Sequence, residues 1–218
     1  MRDRKVELSN LASDGDSDAE FAQREKSCID DAIPQIPIDN RILYYGRDRR
    51  DFRFLSHFHP SPILIDGTNW PTVEHYYQSQ KSPDQAYVAA ILAAGRPGRA
   101  KRLAAAPDAP RRISKDSWFK THAIAPRADW HDVKLDIMRR ADRAKYAQNA
   151  DLAVLLLATG DAELIEDAPS EPFWGIGADG DGLNWAGRIL MEIRAELRRN
   201  SALPQPYNSR DQEETDQC

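Results

Sequence analysis

The amino-acid sequence predicts an α+β fold: one mainly α-helical domain with a few short strands. Three observations carry that reading. Apolar residues recur at helical spacing through most of the middle of the chain, strand-like runs are few and short, and no internal repeat divides the 218 residues. With 41% apolar and 30% charged residues, the chain has the balance of a soluble domain with a sizeable core.

Each element has its own signal. Ile63-Leu64-Ile65 before Asp66-Gly67 reads as a short strand ending in a turn. Pro71, with its fixed φ, and Thr72 as N-cap open a helix expected to stop near Ser82-Pro83. Asp84 starts a second helix through Tyr87, Ile91 and Leu92 to Gly95, and a third, short one covers 100–105. Asp129 is the expected N-cap of a long helix striped by Trp130, Val133, Ile137, Ala141 and Ala144, with Asp132 at its positive end. Asn149 begins the next helix, through Leu152, Leu155 and Leu156 to Gly160. Residues 163–166 (ELIE) read as a small strand, and a last helix over 185–199 turns Ile189, Leu190, Ile193 and Leu197 inward.

The ends differ from the body. Residues 1–40 hold five Lys/Arg against ten Asp/Glu and are expected to form a disordered acidic leader running into a strand-like segment. Residues 200–218, one basic against four acidic, are expected to be a disordered tail. The domain is expected over 41–199, where 24 basic residues meet 21 acidic ones. The net charge of −5 thus belongs to the ends, and a mildly cationic body is compatible with a phosphorylated ligand. Residues 107–128 form a basic, aromatic insert with Trp118 and Phe119. Basic residues among rings suit single-stranded nucleic acid, but a surface loop whose rings pack back on the body is the plainer account, and the preferred one.

Several classes drop out. No apolar run approaches the ~20 residues of a membrane span, and the N-terminus lacks the apolar stretch of a secretory signal. Cys28 and Cys218 are the only cysteines, so neither a disulfide framework nor a zinc site is implied, and a reducing cytoplasm is the expected location. His57, His59, His75, His122 and His131 lack metal-ligand spacing. No metal and no cofactor are expected.

The most informative stretch is PTVEHYYQSQK, residues 71–81. At about 100° per residue, Glu74, Tyr77, Gln78 and Lys81 fall within roughly a third of the helix circumference. A core stripe would be aliphatic, whereas a carboxylate, a phenol, an amide and an ammonium suit a polar pocket. Two solvated residues on an exposed face are the bland alternative, but Trp70, His75, Tyr76 and Tyr77 crowd the same turns. A second stretch, PFWGIGADGDGLNWAG, sets Gly175, Gly177, Gly180 and Gly182 before a helix, where backbone amides can approach an anion. Asn184 is a candidate cap there; Asp179 and Asp181 oppose a phosphate unless they point away. Glu171 brings a second carboxylate. Cleavage of a glycosidic bond generally needs one carboxylate to activate water and another polar group to stabilise charge at the anomeric carbon. Trp130 and Trp174 can sandwich a flat base, although each tryptophan taken alone reads more readily as core.

Read in order, these motifs resemble the NADAR (NAD- and ADP-ribose-associated) family, which includes the YbiA-like N-glycosidases. The resemblance runs from about residue 42 to 197. It is carried by Tyr45-Gly46, Phe54-Leu55-Ser56-His57-Phe58, the WPTVEHYYQSQK block, Asp129-Trp130, Lys145-Tyr146, the FWGIG block and Gly182-Leu183-Asn184. It implies hydrolysis of an N-glycosidic bond to a phosphorylated ribose. In YbiA-like members the implied substrates are phosphoribosylamino-pyrimidine intermediates of riboflavin biosynthesis; in others, ADP-ribose on guanine of nucleic acid. Glu74 falls on the family's catalytic glutamate and Trp130 on an active-site tryptophan. Glu171 stands where the YbiA-like pattern has Asp, and His57 where it has Asn; the insert also looks longer than in compact members.

The resulting expectations are specific. Glu74, Lys81 and Glu171 are the candidate catalytic residues. Tyr45, Gly46, His75, Tyr77, Gln78 and Trp130 are candidates for substrate binding, with Trp174, Gly175, Gly177 and Asn184 beside them. The partner is a small phosphoribosyl compound, with ADP-ribosylated nucleic acid as the alternative; no membrane and no obligate protein partner are expected. A non-catalytic module that binds ADP-ribose or a nucleotide is the second alternative, which intact Glu74 and Lys81 argue against.

Overall fold

The computed structural model describes residues 34–45, 51–107 and 115–202. Most of the expected leader, Gly46, residues 108–114 of the insert and the tail from 203 lie outside the described residues. The chain divides after Gln35 into two compact units, and the second, from Ile36 onward, contains every element and site residue named below.

Among the described residues, four short strands make two separate pairs. β1 (Arg41–Tyr44) lies parallel to β4 (Glu163–Glu166), with Ile42 opposite Leu164. β2 (Ile63–Ile65) and β3 (Thr68–Trp70) form an antiparallel hairpin. Asp66 (φ 51°) and Gly67 (φ 74°) close it, and a two-residue hairpin turn favours both central residues in the left-handed region. The sequence predicts the first strand and the turn but not β3, because Thr-Asn-Trp shows no alternation of its own.

Among the described residues there are also seven α-helices: α1 (Val73–Ser79), α2 (Gln85–Leu92), α3 (Pro97–Leu103), α4 (Trp118–His122), α5 (Trp130–Gln148), α6 (Ala150–Ala158) and α7 (Trp185–Ala202). The fold is α+β and mainly helical, as the spacing predicts. Thr72 and Asp84 are true side-chain caps, accepting from the backbone N–H of His75 and Tyr87. Asp129 is not: it precedes α5, but its carboxylate takes the Arg127 guanidinium instead. The third helix starts at Pro97, not at 100, because proline fits the first helical turn.

Two apolar clusters form the core. The larger unites Ile42, Ile63, Val73, Tyr76, Met138, Leu156, Leu164 and Ile189 from both strand pairs, α1, α5, α6 and α7. The smaller joins Tyr87 and Ile91 of α2 to Ala100 and Leu103 of α3 and Phe119 of α4. α1 packs on α2, α3 and α5, and all seven of its residues are buried. In the described part of the insert, the Phe119 ring lies 4.9 Å from the Tyr87 ring and Trp118 packs, partly buried, against the same cluster.

Of the expected stripe of α5, Ala141 is buried and Trp130, Ile137 and Ala144 pack against the core partly buried, but the stripe is incomplete. The buried residues of the helix are Met138, Ala141, Asp142, Lys145 and Tyr146, so two charged side chains occupy the inward face. Lys145 Nζ donates to the carbonyls of Phe54 (2.6 Å) and Ser56 (3.1 Å), tying the 53–58 segment to the helix.

Candidate active site

A cavity of about 450 Å³ opens where α1, α3, the first half of α5 and the segments 56–58 and 166–174 meet. α1 and the turn after it supply Glu74, Tyr77, Gln78 and Lys81, as their spacing requires. The helix ends at Ser79, but Gln80 stays in the αR region, so Lys81 still faces the same side as Glu74. Trp130, Lys134 and Met138 enter from α5, and Glu171, Phe173 and Trp174 from the loop before α7. Tyr45 sits at the rim, 42% exposed.

Glu74 is fixed in place. It is 5% exposed, lies in the first turn of a helix where the dipole favours an anion, and accepts from Gln78 Nε2 at 2.8 Å. That bond leaves Gln78 Oε1 buried without a hydrogen-bond partner among the described residues. Lys81 Nζ donates to the Ala104 carbonyl at 3.0 Å and lies 5.5 Å from the centre of the Trp130 ring. Burial lowers the Lys81 amine to about 8 against the pull of Glu74, so part of it is uncharged near neutral pH. Tyr77 links the rings, 4.9 Å from Trp130 and 5.4 Å edge-on to Trp174. Burial raises the Tyr77 phenol, which stays protonated.

Glu171 lines the cavity but is ion-paired with Lys101 of α3. Burial alone would lower the Lys101 ammonium; Glu74 and Glu171 outweigh it and hold its pKa above the ordinary value. Cations and carboxylates therefore alternate around the wall.

Four expected binding residues have structural roles instead. His75 points away from the cavity, with Nε2 donating to the Ala94 carbonyl (2.7 Å) and Nδ1 bonded to the Thr72 hydroxyl (2.8 Å). Gly175 does not line the cavity; a Cβ there would stand 2.4 Å from the Glu166 carbonyl oxygen. Gly177 is in the left-handed region (φ 67°) against Pro172. The Asn184 side chain bridges to β4, accepting from Glu166 N (3.0 Å) and donating to the Leu164 carbonyl (2.9 Å). Gly175 thus serves close packing of the loop on β4, none of the loop's glycines lines the cavity, and Trp174 beside them is what reaches the site.

Sequence reasoning misses Lys101, Lys134 and Glu166 as wall residues and marks His57 only as a departure from a pattern. The partners that define them are far away along the chain. Lys101 pairs with Glu171, and His57 Nε2 lies 3.0 Å from Asp142 Oδ2, so no local spacing signals either. Among the described residues no group of three or more His, Cys, Asp or Glu is placed to hold a metal ion, and no helix is long and apolar enough to cross a membrane.

Known proteins share this sequence and this fold. The sequence profile described as the NADAR domain matches residues 43–198. A riboflavin biosynthesis protein of Vibrio vulnificus is 39% identical over 166 residues, which is 76% of this chain but only 40% of that longer protein. The N-glycosidase YbiA of Shigella flexneri is 39% identical over 165 residues, 76% of this chain and 93% of that one. The NMR structure of YbiA from E. coli superposes with a TM-score of 0.64 at 33% identity, over 80% of this chain and 94% of that one.

Proposed function

The chain belongs to the NADAR domain family as an N-glycosidase, and from that premise we propose that it cleaves phosphoribosylamino-pyrimidine intermediates of riboflavin biosynthesis. Hydrolysis of the bond between ribose C1 and the exocyclic amine releases ribose 5-phosphate and the free pyrimidine. The single observation that carries this is the buried Glu74 carboxylate, fixed by Gln78 in a ring-lined cavity that also holds Lys81 and Lys101. The riboflavin biosynthesis name of one relative supports the substrate. A cavity of about 450 Å³ is of the size that holds a small ligand of this kind. The cytoplasm is the proposed location.

The roles follow from chemistry. Glu74 takes a proton from the attacking water or from a sugar hydroxyl. Gln78, whose Oε1 is buried without a partner among the described residues, accepts from a ribose hydroxyl. Trp130 and Trp174 stack on the leaving pyrimidine, and Lys101, Lys134 or Lys81 meets the phosphate. Lys81 has a second course. Its partly neutral amine can attack C1 of the opened ribose and form an imine, which water then releases.

A second reading has its own observation. A neighbouring cavity of about 710 Å³ shares Ser56 and Phe58 with the first and is lined by Arg53, Arg96, Arg99, Arg102 and His59, with no carboxylate. Of these arginines, only Arg102 makes an ion pair within the described residues, with Asp116 at 3.6 Å. Such a wall suits further phosphates, and so favours ADP-ribose on guanine of nucleic acid as a substrate. One assay separates the readings: both substrates are offered in parallel and released base is measured. Glu74→Gln keeps shape and removes charge, and is expected to lower kcat by about 10²–10⁴-fold. A variant near wild-type turnover sinks the role of Glu74. Borohydride added during turnover is expected to trap Lys81 if the imine forms; no adduct leaves it a binder.

A further inference from the structure

We propose that Glu166 is the acid that protonates the departing amine, and that His57, clamped by Asp142, sets the charge beside it. The inference rests on the N-glycosidase reading and adds what that reading lacks: a proton for the leaving nitrogen. An exocyclic amine is a poor leaving group as an anion, so a base at the water needs a matching acid at the nitrogen.

The geometry singles out Glu166. It is the last residue of β4 and lines the same cavity as Glu74. Its backbone is locked on both sides: the N–H donates to Asn184 Oδ1 at 3.0 Å, and the carbonyl accepts from Ala168 N (2.9 Å) and Ile176 N (3.0 Å). Its Oε2 is buried and has no hydrogen-bond partner among the described residues. A carboxylate in that position is costly, and a carboxylic acid much less so. Glu171, by contrast, is ion-paired with Lys101, and Glu74 accepts from the Gln78 amide. Three carboxyl groups thus share one cavity, and of the three only Glu166 has a buried oxygen with no hydrogen-bond partner among the described residues.

The surroundings agree. Burial raises the Glu166 carboxyl to about 7, Glu74 and Glu171 add to this, and His57 and Lys101 oppose it. His57 faces Asp142 and Lys145 from α5 and Glu166 from β4. Burial works against its charged form, but Asp142, fully buried and 3.0 Å away, outweighs burial and raises the imidazole. The positive charge that Asp142 favours on His57, together with Lys101, keeps the Glu166 proton from being held too tightly to give up.

The step balances. Glu74 removes a proton from water as the oxygen bonds to ribose C1. The C1–N bond breaks, its electron pair passes to nitrogen, and the Glu166 proton joins that pair. Ribose phosphate carries the new hydroxyl, the pyrimidine leaves as a neutral amine, and Glu74 returns its proton to Glu166 through solvent.

Release of ribose phosphate from a phosphoribosylamino-pyrimidine by the wild type tests the proposed function; the variants test this inference. Wild-type kcat is expected to fall as pH rises through about 7. Glu166→Gln is expected to lower kcat by about 10²-fold or more at pH 6, with a profile flat across that limb; Glu166→Asp is expected to restore both part of the rate and the limb. The double variant His57→Asn/Asp142→Asn removes the cation without stranding the buried acid, and is expected to move the limb upward. A Glu166→Gln enzyme that keeps the wild-type fall overturns the inference, and an unmoved limb in the double variant overturns the part given to His57. Carbon NMR of the side-chain carboxyls needs no substrate. With Glu166→Gln to assign the signal, a Glu166 resonance titrating below pH 5.5 overturns the acid even in an enzyme that cleaves its substrate well.

Discussion

His75 and Glu74 are neighbours on one turn and do opposite things. Glu74 projects into the cavity and His75 away from it, where it bonds the Ala94 carbonyl and the Thr72 hydroxyl. Both look like site residues in the sequence because α1 has no exposed face against which to sort them. Helical spacing recovers Glu74, Tyr77, Gln78 and Lys81, since those four share a side; it says nothing about what the other side of a buried polar helix does. The distinction has a consequence. His75→Phe leaves a buried carbonyl and a hydroxyl unmet, at a cost of about 2–4 kcal/mol. The folded fraction is expected to keep kcat within about threefold. Thermal unfolding and turnover of the same preparation check this, and a loss of kcat beyond tenfold with an unchanged melting temperature would return His75 to the site.

At the scale of elements, the contact that matters most for Glu166 is α7 lying on β4. A Cβ on Gly187 would stand 1.9 Å from the Leu164 carbonyl oxygen, which is backbone and has no room to withdraw. That close approach lets Asn184 reach both Leu164 and Glu166. Gly187→Ala is therefore expected to push the helix off the strand, cost on the order of 3–5 kcal/mol and loosen Glu166 with it, read as a lower melting temperature together with reduced kcat. Much of the element order is legible in the sequence: capped starts at Thr72 and Asp84, the Asp66-Gly67 turn, the 163–166 strand. What is not legible is long-range. Gly175 and Gly187 are small because backbone from another element crosses them, and a single sequence cannot tell that from glycine serving a phosphate. The inward Asp142 and Lys145 of α5 are hidden for the same reason, since their partners lie in the 54–57 segment.

For the whole molecule, the cost of housing an acid in this cavity is visible as a dependence of stability on pH. Glu166 has its folded pKa raised to about 7 from an ordinary value of 4.5, so between those limits the folded state binds more protons than the unfolded one. Stability from this group is present in full below about 4.5 and is lost as pH rises through about 7. Other groups titrate in the same range: His57, raised, acts in the same direction over a window above 6.5, whereas His59, lowered mainly by burial, acts in the opposite one below it. Comparing wild type with Glu166→Gln cancels His59 and, because Glu166 also helps to raise His57, cancels His57 only in part. The melting temperature of the wild type minus that of the variant is expected to decline between pH 4.5 and 7 and to be flat below that interval. At about 1.4 kcal/mol per unit the decline is bounded near 3 kcal/mol, which for a chain of this size is on the order of 10 °C. A difference that stays level across that interval would mean that Glu166 titrates like an ordinary surface carboxylate. The proton for the leaving amine would then have to come from another group of the cavity, Lys81 or Lys101.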